Sequence, residues 1–177
     1  MSAAPRALAA HDLPGLLAVQ RACYGDALVE GAEVFVRRLA SPANCSLVLE
    51  DGGRVLAYLA AYRSRLGKVT PLHGDFEATP APDTLYLHDL AVLPGLSGQG
   101  LGRALLEAAW RSALGRGLAQ SALVAVPGAE GFWERQGYAV HTLGDADQSK
   151  RLAGYGEGAR YMLRRLAGAS GPPASSG

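Results

Sequence analysis

A chain of 177 residues with 49% hydrophobic and 19% charged side chains can bury one sizeable core, which excludes an intrinsically disordered protein. Its formal net charge of +1 provides no general electrostatic basis for holding nucleic acid or an anionic membrane surface. The two cysteines, Cys23 and Cys45, match no metal-ligand spacing, so no metal is expected, and free buried thiols fit a reducing compartment.

The opening stretch MSAAPRALAAHDLPG has one arginine, no sustained apolar core and an early acid, unlike a secretory leader. No segment approaches the roughly 18 uninterrupted apolar residues of a membrane span. The expectation is a cytoplasmic protein with a single domain over 1–166 and a flexible tail, AGASGPPASSG, over 167–177.

In chain order, residues 6–9 form a short strand, and Asp12 caps a helix with Pro14 and Gly15 in its first turn and an end near Tyr24. Val34, Phe35, Arg38 and Leu39 place a second helix over Ala32–Leu39. The runs CSLVLE and RVLAYLAAYR, joined by Asp51-Gly52-Gly53, read as a hairpin, because the glycines accept the positive φ of a tight turn. From Ser64 to Asp83 the pattern is irregular and broken by Pro71, Gly74, Pro80 and Pro82. So long a loop, just ahead of the central strand, is expected to be mobile or to face substrate.

An apolar, partly alternating strand over Leu85–Leu93 then meets a Pro/Gly turn and a helix whose stripe is Leu101, Ala104, Leu105 and Ala108. Gly115-Arg116-Gly117 ends that helix, SALVAV (121–126) reads as a strand buried on both faces, and AEGFWERQ (129–136) as a short helix. YAVHTL (138–143) reads as a strand, residues 144–158 as a glycine-rich loop, and ARYMLRRL as the last strand. The pattern implies an α/β domain with crossovers on the faces of a mixed sheet.

The junction LAVLPGLSGQGLGRALL carries Gly95, Gly98, Gly100 and Gly102 between strand and helix. Unpaired N–H groups and the helix dipole make such a junction an anion cradle. It is not a phosphate loop of the GxxxxGK[ST] type, since no Lys-Ser or Lys-Thr follows. Nor does it fit the GxGxxG dinucleotide fingerprint, because Gly98, Gly100 and Gly102 run GxGxG and no suitably placed acid follows.

The same stretch resembles the acyl-CoA motif [QR]xxGx[GA] of the GCN5-related N-acetyltransferase (GNAT) superfamily, and the downstream AEGFWERQGY resembles that superfamily's AxxFYxxxGF. The resemblance spans about residues 5–166. It implies a GNAT-like mixed, mostly antiparallel sheet with splayed parallel strands, flanked by helices. Two departures stand out: Ser97 replaces the usual Arg or Gln, and Trp133 replaces the tyrosine that many relatives use to reprotonate a departing thiolate.

The implied activity is direct transfer of an acetyl group from acetyl-CoA to an amine of a small molecule, with neither cysteine placed as a nucleophile. A non-catalytic acyl-CoA-binding or regulatory module is the alternative. Nucleic acid and membrane are not expected partners, and a homodimer is compatible with the resemblance. The pyrophosphate is expected on the N–H groups of Gly98, Gln99, Gly100, Leu101, Gly102 and Arg103, with the Arg103 side chain adding charge. The pantetheine arm is expected to pair with backbone groups of Ala91, Val92 and Leu93, and the Val92 N–H to serve the thioester oxygen. His88 is the expected base, sharing strand parity with Tyr86 and Leu90, while Asp89 should point to the other face. Tyr155, in the mobile or exposed setting GYGEG, is the expected substitute acid.

Overall fold

The computed structural model describes residues 3–166. The hairpin forms as its turn residues demand: β2 (Leu47–Asp51) returns as β3 (Arg54–Ser64), with Gly52 and Gly53 at φ of 57° and 81°. β4 (Thr84–Val92) pairs antiparallel with β3, and the short β1 (Arg6–Ala7) borders β2. The second half adds β5 (Gln120–Ala125), β6 (Ala139–Val140) and β7 (Arg160–Arg165), giving the sheet order β1-β2-β3-β4-β5-β7-β6. Only β4 and β5 run parallel, joined by the crossover helix α3 (Leu101–Gly115).

Two apolar layers sandwich this sheet. On one face α1 (Leu13–Tyr24) and α2 (Ala32–Ala40) cover a core containing Leu16, Phe35, Tyr58, Tyr62 and Tyr86. On the other, α3 lays Leu105, Leu106, Ala109 and Ala113 against Leu59, Leu87 and Leu123. α4 (Glu130–Arg135) packs Trp133 against this second layer. Among the described residues no helix is long and apolar enough to cross a membrane. The expected tail over 167–177 lies outside the described residues.

Several expectations need correction. Asp12 does not cap α1 through its side chain; its carboxylate accepts from the Ala9 N–H at 2.9 Å and from both terminal nitrogens of Arg6 at 2.8 and 2.9 Å. The strand expected over 138–143 shrinks to β6, and Tyr138 is instead a buried contact bonded to Trp110 Nε1 and Ser121 Oγ. The expected loop 144–158 contains α5 (Ala146–Ala153), whose cap is Asp145: its carboxylate accepts from the N–H groups of Asp147 and Gln148.

The segment 64–83 lacks regular structure but is pinned rather than loose. Val69 and Thr70 are buried, the Val69 N–H donates to Gln148 Oε1 at 2.7 Å, and Arg151 donates to the Val69 carbonyl at 3.1 Å. The Gly67 N–H reaches the Tyr161 hydroxyl at 2.9 Å. α5 is thus the clamp that holds this loop over the first core. Gln148→Ala leaves the buried Val69 N–H without an acceptor and is expected to lower stability by about 1–3 kcal/mol in urea unfolding. A loss below about 0.5 kcal/mol, the usual scatter of surface substitutions, refutes the clamp.

Candidate functional site

The site begins with an irregularity in β4. Leu87 opposes Ala61 and Asp89 opposes Ala60, so His88 is an extra residue on its strand, a β-bulge. The bulge resets the pleat. Tyr86 and Ala91 face the α1/α2 layer, Leu87 and Leu90 face α3, and His88 and Asp89 both turn to the α1/α2 side. The expected opposition of His88 and Asp89, and the shared parity of His88 with Leu90, are therefore corrected.

His88 meets a buried ion cluster. Its Nε2 lies 3.1 Å from both carboxylate oxygens of Glu30 and 3.2 Å from Arg38 Nη2. Arg38 grips Glu30 with two bonds of 2.8 and 2.5 Å, and all three side chains are about 2% exposed. The His73 N–H adds a bond of 2.7 Å to Glu30, and Arg38 Nε donates to the Gly74 carbonyl, so the cluster also ties down the 64–83 loop. Burial opposes the Glu30 charge, but the hydrogen bonds from Arg38 and then His88 outweigh it and hold the carboxyl well below the usual range. The other ring nitrogen of His88, Nδ1, is buried and has no protein partner.

Asp89 is in the opposite condition. Its carboxylate accepts from the Tyr24 hydroxyl at 2.7 Å and from the Tyr58 hydroxyl. Although it keeps some surface toward a cavity, the protein crowded around it pushes its pKa up, a shift only partly offset by the two tyrosine bonds. The Tyr24 hydroxyl also contacts the Leu90 carbonyl at 2.9 Å, and burial followed by the Asp89 charge raises its pKa.

Of these groups Tyr24, Glu30, His88 and Asp89 line a cavity of about 230 Å³ whose remaining walls include Leu72, Val124, Val126, Phe132 and Trp133. The cavity exists because β4 and β5 separate: their pairing runs from Thr84↔Gln120 to Leu87↔Leu123 and stops at the bulge. Beyond it, the Leu93 N–H turns back to the Leu56 carbonyl at 2.9 Å. By strand alternation Ala91 and Leu93 serve β3, and Val92 alone of the three directs its backbone to the divide. The Val92 carbonyl accepts from Cys23 Sγ at 3.1 Å, leaving its N–H as a donor there.

A second cavity of about 490 Å³ shares Leu90 and Phe132 with the first and is lined by Ser97, Gly98, Gly100, Gly102 and Arg103. Gly98 and Gly100 have φ of 85° and 78°, and Gly100 stands immediately before α3. Among the described residues, the N–H groups of Gly98, Gly100, Leu101, Gly102 and Arg103 find no acceptor, while that of Gln99 bonds weakly to the Leu96 carbonyl at 3.4 Å. A Cβ added at Gly98 or Gly100 meets nothing within 4 Å. The left-handed backbone that aims these donors, rather than crowding by protein, is what calls for glycine. Arg103 bonds Glu107 and Gln136 at 2.8 Å each and lies over Trp110.

Tyr155 is not among the groups lining either cavity. Its hydroxyl donates to the Thr70 carbonyl, so it fastens the loop instead of standing mobile or exposed. The residues that sequence reasoning missed are Glu30, Arg38, Tyr24 and Asp89. The one available signal was His88-Asp89 itself, two adjacent polar residues inside an otherwise apolar strand, which is how a bulge can read in sequence. Among the described residues no group of three or more His, Cys, Asp and Glu side chains is arranged to hold a metal ion.

The chain belongs to the Acetyltransferase (GNAT) family, whose model matches residues 14–138. No curated protein sequence matches it significantly. Among solved structures, it is similar to the ribosomal-protein-S18-alanine N-acetyltransferase from Escherichia coli (TM-score 0.68, 20% identity, 96% of this chain and 97% of that one). It is also similar to the GphF GNAT-like decarboxylase in complex with isobutyryl-CoA (TM-score 0.72, 19% identity, 92% and 99%). A third is YhbS from Escherichia coli in complex with CoA (TM-score 0.61, 22% identity, 93% and 82%).

Arg38→Met strands the Glu30 carboxylate and is expected to destabilise the protein by about 3–5 kcal/mol at neutral pH in chemical unfolding. The Glu30 carboxyl is depressed in the folded state, so its contribution is present above the unfolded value of 4.5 and disappears as pH falls below it. Glu30→Gln should therefore flatten the wild-type loss of stability between neutral and acidic pH. An unchanged acid slope disproves the assignment.

Proposed function

We propose that this protein is an N-acetyltransferase that moves an acetyl group from acetyl-CoA to the amine of a small molecule. The observation that carries this reading is the divide between β4 and β5, which runs from the free N–H groups of the glycine loop to a polar end built by His88, Asp89, Glu30 and Tyr24. The chain's own geometry fits a CoA-like ligand: five unbonded N–H groups before and within the first turn of α3 suit a pyrophosphate. Backbone donors do that work, so Ser97 is not an obstacle. When bound, acetyl-CoA supplies the acetyl group activated as a thioester.

His88 accepts the proton of the attacking amine at Nδ1, a buried atom that the entering acceptor must uncover. The carboxylate of Glu30 holds the ring through Nε2 and thereby keeps a lone pair on Nδ1, the nitrogen that no protein group uses. The Val92 N–H is the donor available to a carbonyl oxygen in the divide. Tyr24, which lines the cavity where Trp133 cannot act as an acid, is the hydroxyl we assign to face the departing thiolate, with Asp89 positioning it. Tyr155 is given no chemical step. The acceptor end has apolar walls and no cation free of a partner, since Arg38 is matched by Glu30. That favours an amine with a short apolar body over one carrying a carboxylate.

Calorimetric titration of acetyl-CoA and a thiol-release screen over small amines test the reading together. No binding at millimolar cofactor refutes it, and binding without release on any amine leaves only a binding module. His88→Ala is expected to lower kcat about 100-fold or more and to remove the limb of the pH profile that reports the base; a wild-type profile rules His88 out. Gly100→Val strains a left-handed residue by roughly 1–3 kcal/mol and should weaken CoA about tenfold or more without changing that profile. Retained affinity shows that the loop is not the cradle.

A further inference from the structure

The far end of α3 from the glycine loop borders another cavity, of about 220 Å³, which shares no lining residue with the two described above. Its apolar lining includes Leu47 on β2, Leu85 at the start of β4, and Leu118 beyond α3. Its charged groups are Arg63 and Arg116, and no Asp or Glu lines it. Neither arginine has an ion-pair partner among the described residues. Arg63 donates from Nη2 to the Pro42 carbonyl at 2.5 Å, but its Nε is buried and has no acceptor. The two guanidinium charges at this cavity are therefore neutralised by no carboxylate of the described residues, and an anion bound there supplies one.

Other observations agree. Both guanidinium charges act on the Cys45 thiol, so their fields converge on this cavity, although burial still pushes that thiol up to about 11. Asn44 uses its side-chain oxygen to accept from Ser46, while its NH2 group makes no bond among the described residues. The Ser112 hydroxyl, also in the lining, is likewise without a partner there.

We propose that this cavity is a binding site for a small organic monocarboxylate, with the carboxylate held by Arg63 and Arg116 and the apolar body packed against Leu47, Leu85 and Leu118. The planar guanidinium fork matches a carboxylate. Inorganic phosphate has no apolar body to bury there, and a CoA-sized molecule exceeds the volume. The site does not depend on the acyltransferase reading, so either can fail alone.

The test is an NMR titration of the full chain with benzoate, alongside benzamide and inorganic phosphate. Saturable amide shifts are expected around residues 44–47, 63 and 112–118, with benzoate binding about tenfold or more tighter than either control. Arg116 is exposed, so Arg116→Gln should keep the fold and weaken benzoate about tenfold. Ser112→Leu, also at an exposed position, should abolish binding by filling the cavity. The site is refuted by equal binding of benzamide or phosphate, by shifts confined to the divide between β4 and β5, by unchanged affinity in Arg116→Gln, or by no saturation up to about 20 mM.

Discussion

One extra residue in β4 organises the site. With a regular pleat, Asp89 would point into the α3 layer beside Leu87, where a carboxylate has no donor and burial is prohibitive. The bulge at His88 turns it instead toward Tyr24 and Tyr58, which supply two hydrogen bonds. A bulge also increases the local strand twist, and the last β4–β5 pair, Leu87↔Leu123, falls immediately before it. The same irregularity therefore gathers the polar groups and opens the strand pair beside which they stand.

The two carboxylates at the polar end are driven in opposite directions. Glu30 keeps its charge because Arg38 meets it with two bonds and His88 with a third group, all shielded from water. Asp89 has only neutral hydroxyls as partners, and crowding pushes its pKa up. The two environments therefore keep one carboxylate as a fixed charge and raise the pKa of the other. The fixed charge is the one that orients the histidine. The raised one is joined to a tyrosine at the cavity wall, so the difference between them follows from which carboxylate the arginine reaches.

The scaffold was legible in the sequence wherever backbone requirements choose the residue. Asp51-Gly52-Gly53 mark the hairpin, the Leu/Ala stripe marks α3, and the family resemblance carried by the glycine loop and FWERQGY implies the parallel pair around it. What stayed hidden was set by tertiary partners. Glu30 lies outside any helix or strand, and its importance appears only when Arg38, on the helix that follows, and His73, from the distant 64–83 loop, both bond it. α5 was masked by flanking glycines and a polar composition, ADQSKRLA, because it buries little beyond Gln148 and is held through hydrogen bonds to the loop. Tyr155 looked mobile for the same reason: glycine neighbours permit freedom, and a single bond to Thr70 removes it.

The contrast between the two ends of the divide has a physical cause. At the glycine loop the binding groups are main-chain N–H donors, present in every non-proline residue and aimed by φ alone. With Ser97 in place of the usual Arg or Gln, the loop still presents its five unbonded N–H groups. At the polar end the groups are side chains from α1, the α1–α2 connection, α2 and β4, all gathered on the α1/α2 side of the sheet. Moving any one of them misplaces the others through shared hydrogen bonds: Arg38 touches Glu30, Gly74 and His88 at once. A backbone cradle can therefore keep a recognisable spacing through extensive sequence change, whereas an acceptor end built from such a network must change as a unit, and its specificity is written in contacts that no linear spacing records.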